Sequence, residues 1–167
     1  MTEDAVDVFN VDSPYLKAVE SPYEEDAPKY ITNLSLEIDE FVEKIKGKFK
    51  SVNINEDNIG DKIKLVEKSE TGRIKKLFID GNIISGREFR DLLSLNSTHF
   101  SISFNPSTKI VEIETKGYGH GVGMSQWGAN HLAKNEKTFK EIIEYYYEGV
   151  VLDSIDNIDS IDNIDSI

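Results

Sequence analysis

The stretch from Lys116 to Asn130 reads KGYGHGVGMSQWGAN and concentrates the residue types able to do chemistry. Gly117, Gly119, Gly121 and Gly123 take every second position, with His120 among them and Ser125, Gln126 and Trp127 just after. Glycine has no Cβ, so it reaches positive φ and lets backbone amides come close to a ligand. The run gives way to a helix-compatible segment, Ser125–Lys134. The first turn of such a helix adds unpaired N–H donors and a positive partial charge. The expectation is a polar, donor-rich loop beside an aromatic side chain.

Spacing excludes several chemistries. The Gly-x-x-x-x-Gly-Lys-[Ser/Thr] pattern of a nucleotide phosphate loop is absent. The dinucleotide pattern Gly-x-Gly-x-x-Gly fails as well, because Val122 or Met124 falls where the third glycine is needed. A nucleophile elbow needs Gly-x-Ser-x-Gly, and Ser125 is followed two places later by Trp127. His99, His120 and His131 show no short metal-ligand spacing. Trp127 reads either as a helix-packing residue or as a platform for a sugar ring.

Other elements must position this loop. Ile38, Phe41, Val42, Ile45 and Phe49 recur at helical spacing, with Ser35 as an expected N-cap and lysines late in the helix. Ile63–Glu67 and Ile74–Ile79 read as a hairpin across Ser69-Glu70-Thr71-Gly72, and Asp80-Gly81 turns the chain into a short strand, Asn82–Ile84. Ser85 caps a helix over Gly86–Leu93. Phe100, Ile102 and Phe104 alternate with serines as a half-buried strand, which Asn105-Pro106-Ser107-Thr108 turns into Ile110–Glu114. A last helix starts at Thr138 with Glu141 completing a capping box; it is expected to bury Phe139, Ile142, Ile143 and Tyr146 and to end near Gly149. Hairpins with three to four separate helices, and a Gly-rich loop leading into one of them, make an α+β fold.

The 167 residues suit one domain with a real core, and they carry 31 acids against 19 bases, a net charge of −12. That charge is unevenly placed. Residues 1–30 are net −6, residues 153–167 net −5, and the middle is net −1. Acidity argues against a nucleic-acid partner, which needs cations facing phosphates. No apolar run approaches the ~20 residues that cross a bilayer, and no signal-peptide pattern opens the sequence. The absence of cysteine excludes disulfides and thiolate chemistry without fixing a compartment. The last fifteen residues, DSIDNIDSIDNIDSI, repeat with a period matching neither helix nor strand and are expected to be a disordered tail. As a calcium loop the repeat lacks the required Gly and terminal Glu.

The run GYGHGVGMSQWGANHLAKNEKTFKEIIEYYYEGV resembles the C-terminal signature of the stage II sporulation protein D family, which is related to enhancers of cell-wall amidases. Three further stretches agree in order: Pro14–Pro22 (PYLKAVESP), Ser85–Arg90 (SGREFR) and Leu95–Phe100 (LNSTHF). The likeness covers about residues 5–152; residues 1–152 are expected to form the C-terminal part of such a domain, followed by the 153–167 tail.

The resemblance implies peptidoglycan as partner, with other sporulation cell-wall hydrolases as possible companions and a place outside the cytoplasm, at the cell wall or between mother-cell and forespore membranes. The sporulation members of the family are lytic transglycosylases that cut glycan strands stripped of stem peptides. The chemistry needs no metal and no cofactor. One carboxyl group protonates the leaving oxygen and then, as carboxylate, takes the proton of the sugar 6-hydroxyl, closing an anhydro ring. In the family that carboxyl belongs to a Glu in an Ala-Ser-Glu-Met-Pro segment, which does not occur in this sequence. Glu20 and Glu88 lie in matching stretches but outside the catalytic pattern, so no catalytic residue is assigned. The residues expected to line a glycan groove are His120, Ser125 and Gln126, with the backbone of Gly119, Gly121 and Gly123. Tyr15 and Lys17 join them if Pro14–Val19 is extended, since alternate residues then share a face. The family usually carries Tyr where this sequence has Trp127.

Overall fold

The computed structural model describes residues 1–153. Apart from Asp153, the Asp/Ile repeat lies outside the described residues. Among the described residues, two antiparallel three-stranded sheets and six α-helices make the α+β fold that the sequence implied.

One sheet has the order β1 (Ile31–Glu37), β6 (Ile110–Lys116), β5 (Phe100–Asn105), so β6 is paired on both edges. Its register sets Leu34 opposite Ile113 and Leu36 opposite Val111 on one side, and Phe100 opposite Thr115 on the other. The β5–β6 turn is built by Asn105, whose Oδ1 accepts from the Ser107 and Thr108 N–H groups at 3.0 and 3.3 Å. The second sheet runs β2 (Ile63–Lys68), β3 (Ile74–Ile79), β4 (Asn82–Ser85). Asp80 and Gly81 both take positive φ, 40° and 88°, the primed turn that matches strand twist. Val66 is skipped in the β2–β3 register and stands exposed, a bulge that simple alternation does not announce.

The core lies between the sheets and two helices, α2 (Ile38–Lys48) and α4 (Gly86–Leu93). Phe41 and Ile45 of α2, Leu77 and Ile79 of β3, Phe89 of α4 and Val111 and Ile113 of β6 are all fully buried. The Phe89 and Phe100 rings stack with centroids 5.2 Å apart. The remaining helices are α1 (Ala5–Phe9), α3 (Ile59–Lys62), α5 (Gln126–Lys134) and α6 (Phe139–Tyr146). The single-turn helices α1 and α3 add to the three to four expected.

Three local expectations need correction. Ser35 does not cap α2; it sits in β1 opposite Glu112, and the strand runs straight into the helix at Ile38. The Ile38 N–H is served instead by the Lys109 carbonyl at 3.0 Å. Phe139 is 77% exposed, because it is the first residue of α6 and the buried stripe begins one turn later with Ile142 and Tyr146. That helix ends at Tyr146, and Gly149, with φ 76°, follows three residues on. Both Ser/Thr–Glu capping boxes are present, Ser85 with Glu88 and Thr138 with Glu141.

Gly86 opens α4 directly against β3, where a Cβ would fall inside the Ile74 carbonyl. Gly86→Ala is expected to lower the unfolding free energy by about 2–3 kcal/mol through overpacking. Urea denaturation checks this, with Gly47→Ala, where nothing lies within 4 Å, as a stable control.

Candidate functional site

The Gly-rich run leaves the end of β6 and forms one wall of a cleft of about 480 Å³. Gly117, Gly119, Gly121 and Gly123 have φ values of 75°, 71°, 82° and 78°, so each alternate residue is left-handed. A Cβ at all four positions would strain the chain at every second step. The backbone path is held by partners from three other segments. The Gly117 N–H bonds the Tyr30 carbonyl (2.7 Å), the Gly119 N–H the Asn96 carbonyl (2.9 Å), and the Gly121 carbonyl accepts the Glu3 N–H (2.9 Å).

Beneath the loop lies a buried ion pair. Glu3 is 1% exposed and Arg73 9%. Arg73 Nε stands 3.2 Å from Glu3 Oε1, while Nη1 donates to Ser97 Oγ at 3.0 Å and to the Gly119 carbonyl at 3.3 Å. Ser69 Oγ donates to Glu3 Oε1 and accepts from the Arg73 N–H. Burial raises the Glu3 carboxyl despite the attraction of Arg73, and burial lowers the guanidinium. The guanidinium occupies the space where a Cβ on Gly121 would go, within 2.5–2.9 Å of three of its atoms. Gly121 is therefore required twice, for its φ and for its missing side chain.

The opposite wall comes from residues 20–30. Ser21 Oγ and Tyr146 Oη share a buried hydrogen bond of 2.8 Å, packed where a Cβ on Gly128 of α5 would lie. Tyr145 Oη donates to the Glu20 carbonyl at 2.6 Å, and the Tyr23 ring stacks on His131 at 3.6 Å. Glu24, Ala27, Pro28 and Tyr30 line this wall. Burial, and secondarily Glu24, raises the Tyr30 phenol.

The cleft brings together six of the eight residues expected from the sequence: His120, Ser125, Gln126, Gly119, Gly121 and Gly123. Trp127, 44% exposed, and Tyr118, 67% exposed, line it too. Ser125 is the N-cap of α5, its Oγ accepting from the Gly128 N–H at 3.2 Å. His120 Nδ1 accepts from the Val122 N–H at 2.9 Å, which places the proton of the neutral ring on Nε2, a donor. Burial, then the charges of Arg73, Arg90 and Arg87, hold this imidazole below its usual range. Tyr15 and Lys17 do not line the cleft. Pro14–Tyr15 form a turn rather than an extended strand, and Lys17 is engaged by Asp12 at 3.2 Å and Asp4 at 3.6 Å. Glu20 and Glu88 are also elsewhere: Glu88 caps α4 and pairs with Lys48, which holds its carboxyl at about 2.

Sequence reasoning missed Glu24, Tyr30 and Arg73, which reach the cleft from distant segments. A signal existed for one of them. Arg73 is one of three arginines in a lysine-rich chain, and it follows the hairpin glycine, Gly72. Arginine is the cation suited to a buried, multiply bonded position.

No family model matches the chain. Among curated proteins, stage II sporulation protein D of Bacillus subtilis (strain 168) is 35% identical over 155 residues, 93% of this chain and 43% of that protein. The protein of the same name in Bacillus amyloliquefaciens is 33% identical over 156 residues, again 93% of this chain and 43% of the relative. The chain is homologous to stage II sporulation protein D over nearly all of its own length. An amidase enhancer of Bacillus subtilis is 33% identical over 96 residues, 56% of this chain and 13% of that protein. The chain thus spans less than half the length of the sporulation relatives it matches. Among the described residues, no helix is long and apolar enough to cross a membrane.

Two outcomes test this site's construction. Glu3→Ala strands a buried guanidinium and should cost about 3–5 kcal/mol in urea denaturation, whereas the double change Glu3→Met with Arg73→Met should cost much less. The pH test concerns His120. Its folded pKa is depressed, so the unfolded chain binds the extra proton and stability is lost as pH falls below the ordinary imidazole value of 6.5. Glu3, raised by burial, acts in the opposite sense. Wild type should therefore lose more melting temperature between pH 7.5 and 5.5 than His120→Gln does.

Proposed function

We propose that this chain binds peptidoglycan glycan strands in the cleft between the Gly-rich loop and residues 24–30, and serves cell-wall remodelling during sporulation engulfment, outside the cytoplasm. The carrying observation is that His120, Ser125 and Gln126 of the Gly-rich motif, with Trp127 beside them, converge on one cleft with Tyr30 and Tyr118. Aromatic faces with a few fixed donors suit a sugar chain, whose rings offer apolar faces and hydroxyl edges. Residues 31–152, which include the Gly-rich loop and α5, are nearly neutral in charge.

In this reading the chain is the C-terminal part of a lytic transglycosylase whose general acid comes from the Ala-Ser-Glu-Met-Pro segment that this sequence does not contain. Residues 1–152 are then one structural unit and the Asp/Ile repeat a tail. The similarity to an amidase enhancer favours a second reading, a non-catalytic glycan-binding module that assists other wall hydrolases.

Incubation with denuded sacculi separates the two. The chain alone is expected to bind glycan strands without releasing anhydro-muropeptides, and His120→Ala to weaken sedimentation with sacculi about tenfold. Release of anhydro products would overturn the assignment of the general acid to another segment. Unchanged sedimentation of His120→Ala would remove that residue from the groove.

A further inference from the structure

Among the described residues, Glu24 is the one carboxylate that lines the cleft. Its neighbours Glu25 and Asp26 are exposed, whereas Glu24 is turned inward with a side chain 23% exposed. The conformation is built rather than incidental. Tyr23 holds a left-handed φ of 58°, a costly choice for a non-glycine residue, and is fixed there by its stack on His131. The Ala27 N–H then bonds the Glu24 carbonyl at 3.0 Å, and the Tyr30 N–H the Ala27 carbonyl at 3.0 Å. Together these contacts tie the carboxylate's backbone to α5 and to the root of the Gly-rich loop.

The carboxylate makes no ion pair with another side chain within 4.0 Å among the described residues, and the Arg73 guanidinium acts on it only through space. Its one ion-pair partner among the described residues is the α-amino group of Met1, at 3.8 Å. Arg73 also lines the cleft, but its Nε and Nη1 are committed to Glu3, Ser97 and Gly119. Across from Glu24 stand neutral groups: the Ser125 hydroxyl, the Gln126 amide, the indole of Trp127 and the His120 ring. An acceptor of fixed negative charge in such surroundings favours ligand hydroxyl and amide N–H donors. It disfavours a second anion at the same place.

We propose that Glu24 is a specificity-determining acceptor for the ligand, and that the sugar unit seated against it is a neutral, N-acetylglucosamine-type ring rather than one bearing an ionised carboxylate. This rests on the glycan reading above. Glu24 takes hydrogen bonds from the hydroxyls of that ring while its apolar face lies on Trp127 or Tyr30.

Isothermal titration calorimetry with fully N-acetylated chitotetraose, an all-neutral probe, tests it. Wild type should bind, and Glu24→Gln, which keeps the shape but not the charge, should bind about tenfold more weakly with an unchanged thermal melt. If Glu24→Gln melts differently, Glu24→Asp provides the same comparison with the charge kept and the reach shortened, and the same weakening is expected. Glu24→Gln binding within twofold of wild type, while Trp127→Ala loses chitotetraose, overturns the role of Glu24 and leaves the glycan reading standing. Wild type binding denuded glycan strands but not chitotetraose overturns the neutral-ring assignment alone. Failure to bind either one overturns both.

Discussion

A carboxylate and a guanidinium leave water together at tolerable cost only when their remaining donors and acceptors are also met, and Glu3 and Arg73 meet that condition with groups from several segments. Ser69 comes from the end of the β2–β3 hairpin, Ser97 from the loop before β5, and the Gly119 carbonyl from the Gly-rich run. These segments are well separated in sequence, and two of them, at Ser97 and Gly119, also meet in a backbone bridge. The pair therefore acts as a keystone: the N-terminal residues, the hairpin turn and the loop are positioned by reference to one guanidinium. The backbone bond from Glu3 to Gly121 adds a geometric tie to the electrostatic one. Lys75 on β3, bonded to Asp7 at 2.7 Å, pins α1 to the same hairpin from outside.

The second wall depends on a different kind of contact. Ser21, Tyr146 and the missing side chain of Gly128 make a polar, buried junction between the entry segment, α6 and α5. A hydroxyl pair needs less desolvation than an ion pair and still insists on geometry. One wall is thus set by charge and the other by hydroxyl packing. The cleft width follows from the sheet that separates them, since Tyr30 precedes β1 and Gly117 follows β6, and these strands are neighbours.

Local elements were legible in the sequence where a residue type has a single structural use. The two capping boxes, the Asp80-Gly81 turn and the alternation of Phe100, Ile102 and Phe104 all announce themselves. Strand β1 was obscured, because Ser35 looked like a helix cap when it is in fact the outward residue of a strand running without a break into α2. The candidate site was half legible. The Gly-rich wall is contiguous in sequence and carries its own motif, whereas Glu24 and Arg73 matter only through a juxtaposition that tertiary structure creates. Tyr15 and Lys17 show the converse: spacing suggested a shared face, but Pro14 turns the chain and two aspartates claim the lysine.

The central strand β6 has one further consequence. It is bonded along both edges, and the glycine run leaves from its end without an intervening loop. The run is then gripped near its middle through Gly119 and Gly121, and at its far end it enters the capped start of α5. Mechanically this is a beam supported at three points, not a flap on a hinge. A ligand entering such a cleft would be accommodated by rotation of single peptide planes between supports, a movement that glycines at positive φ permit, so the amides can be re-aimed while the wall stays where it is.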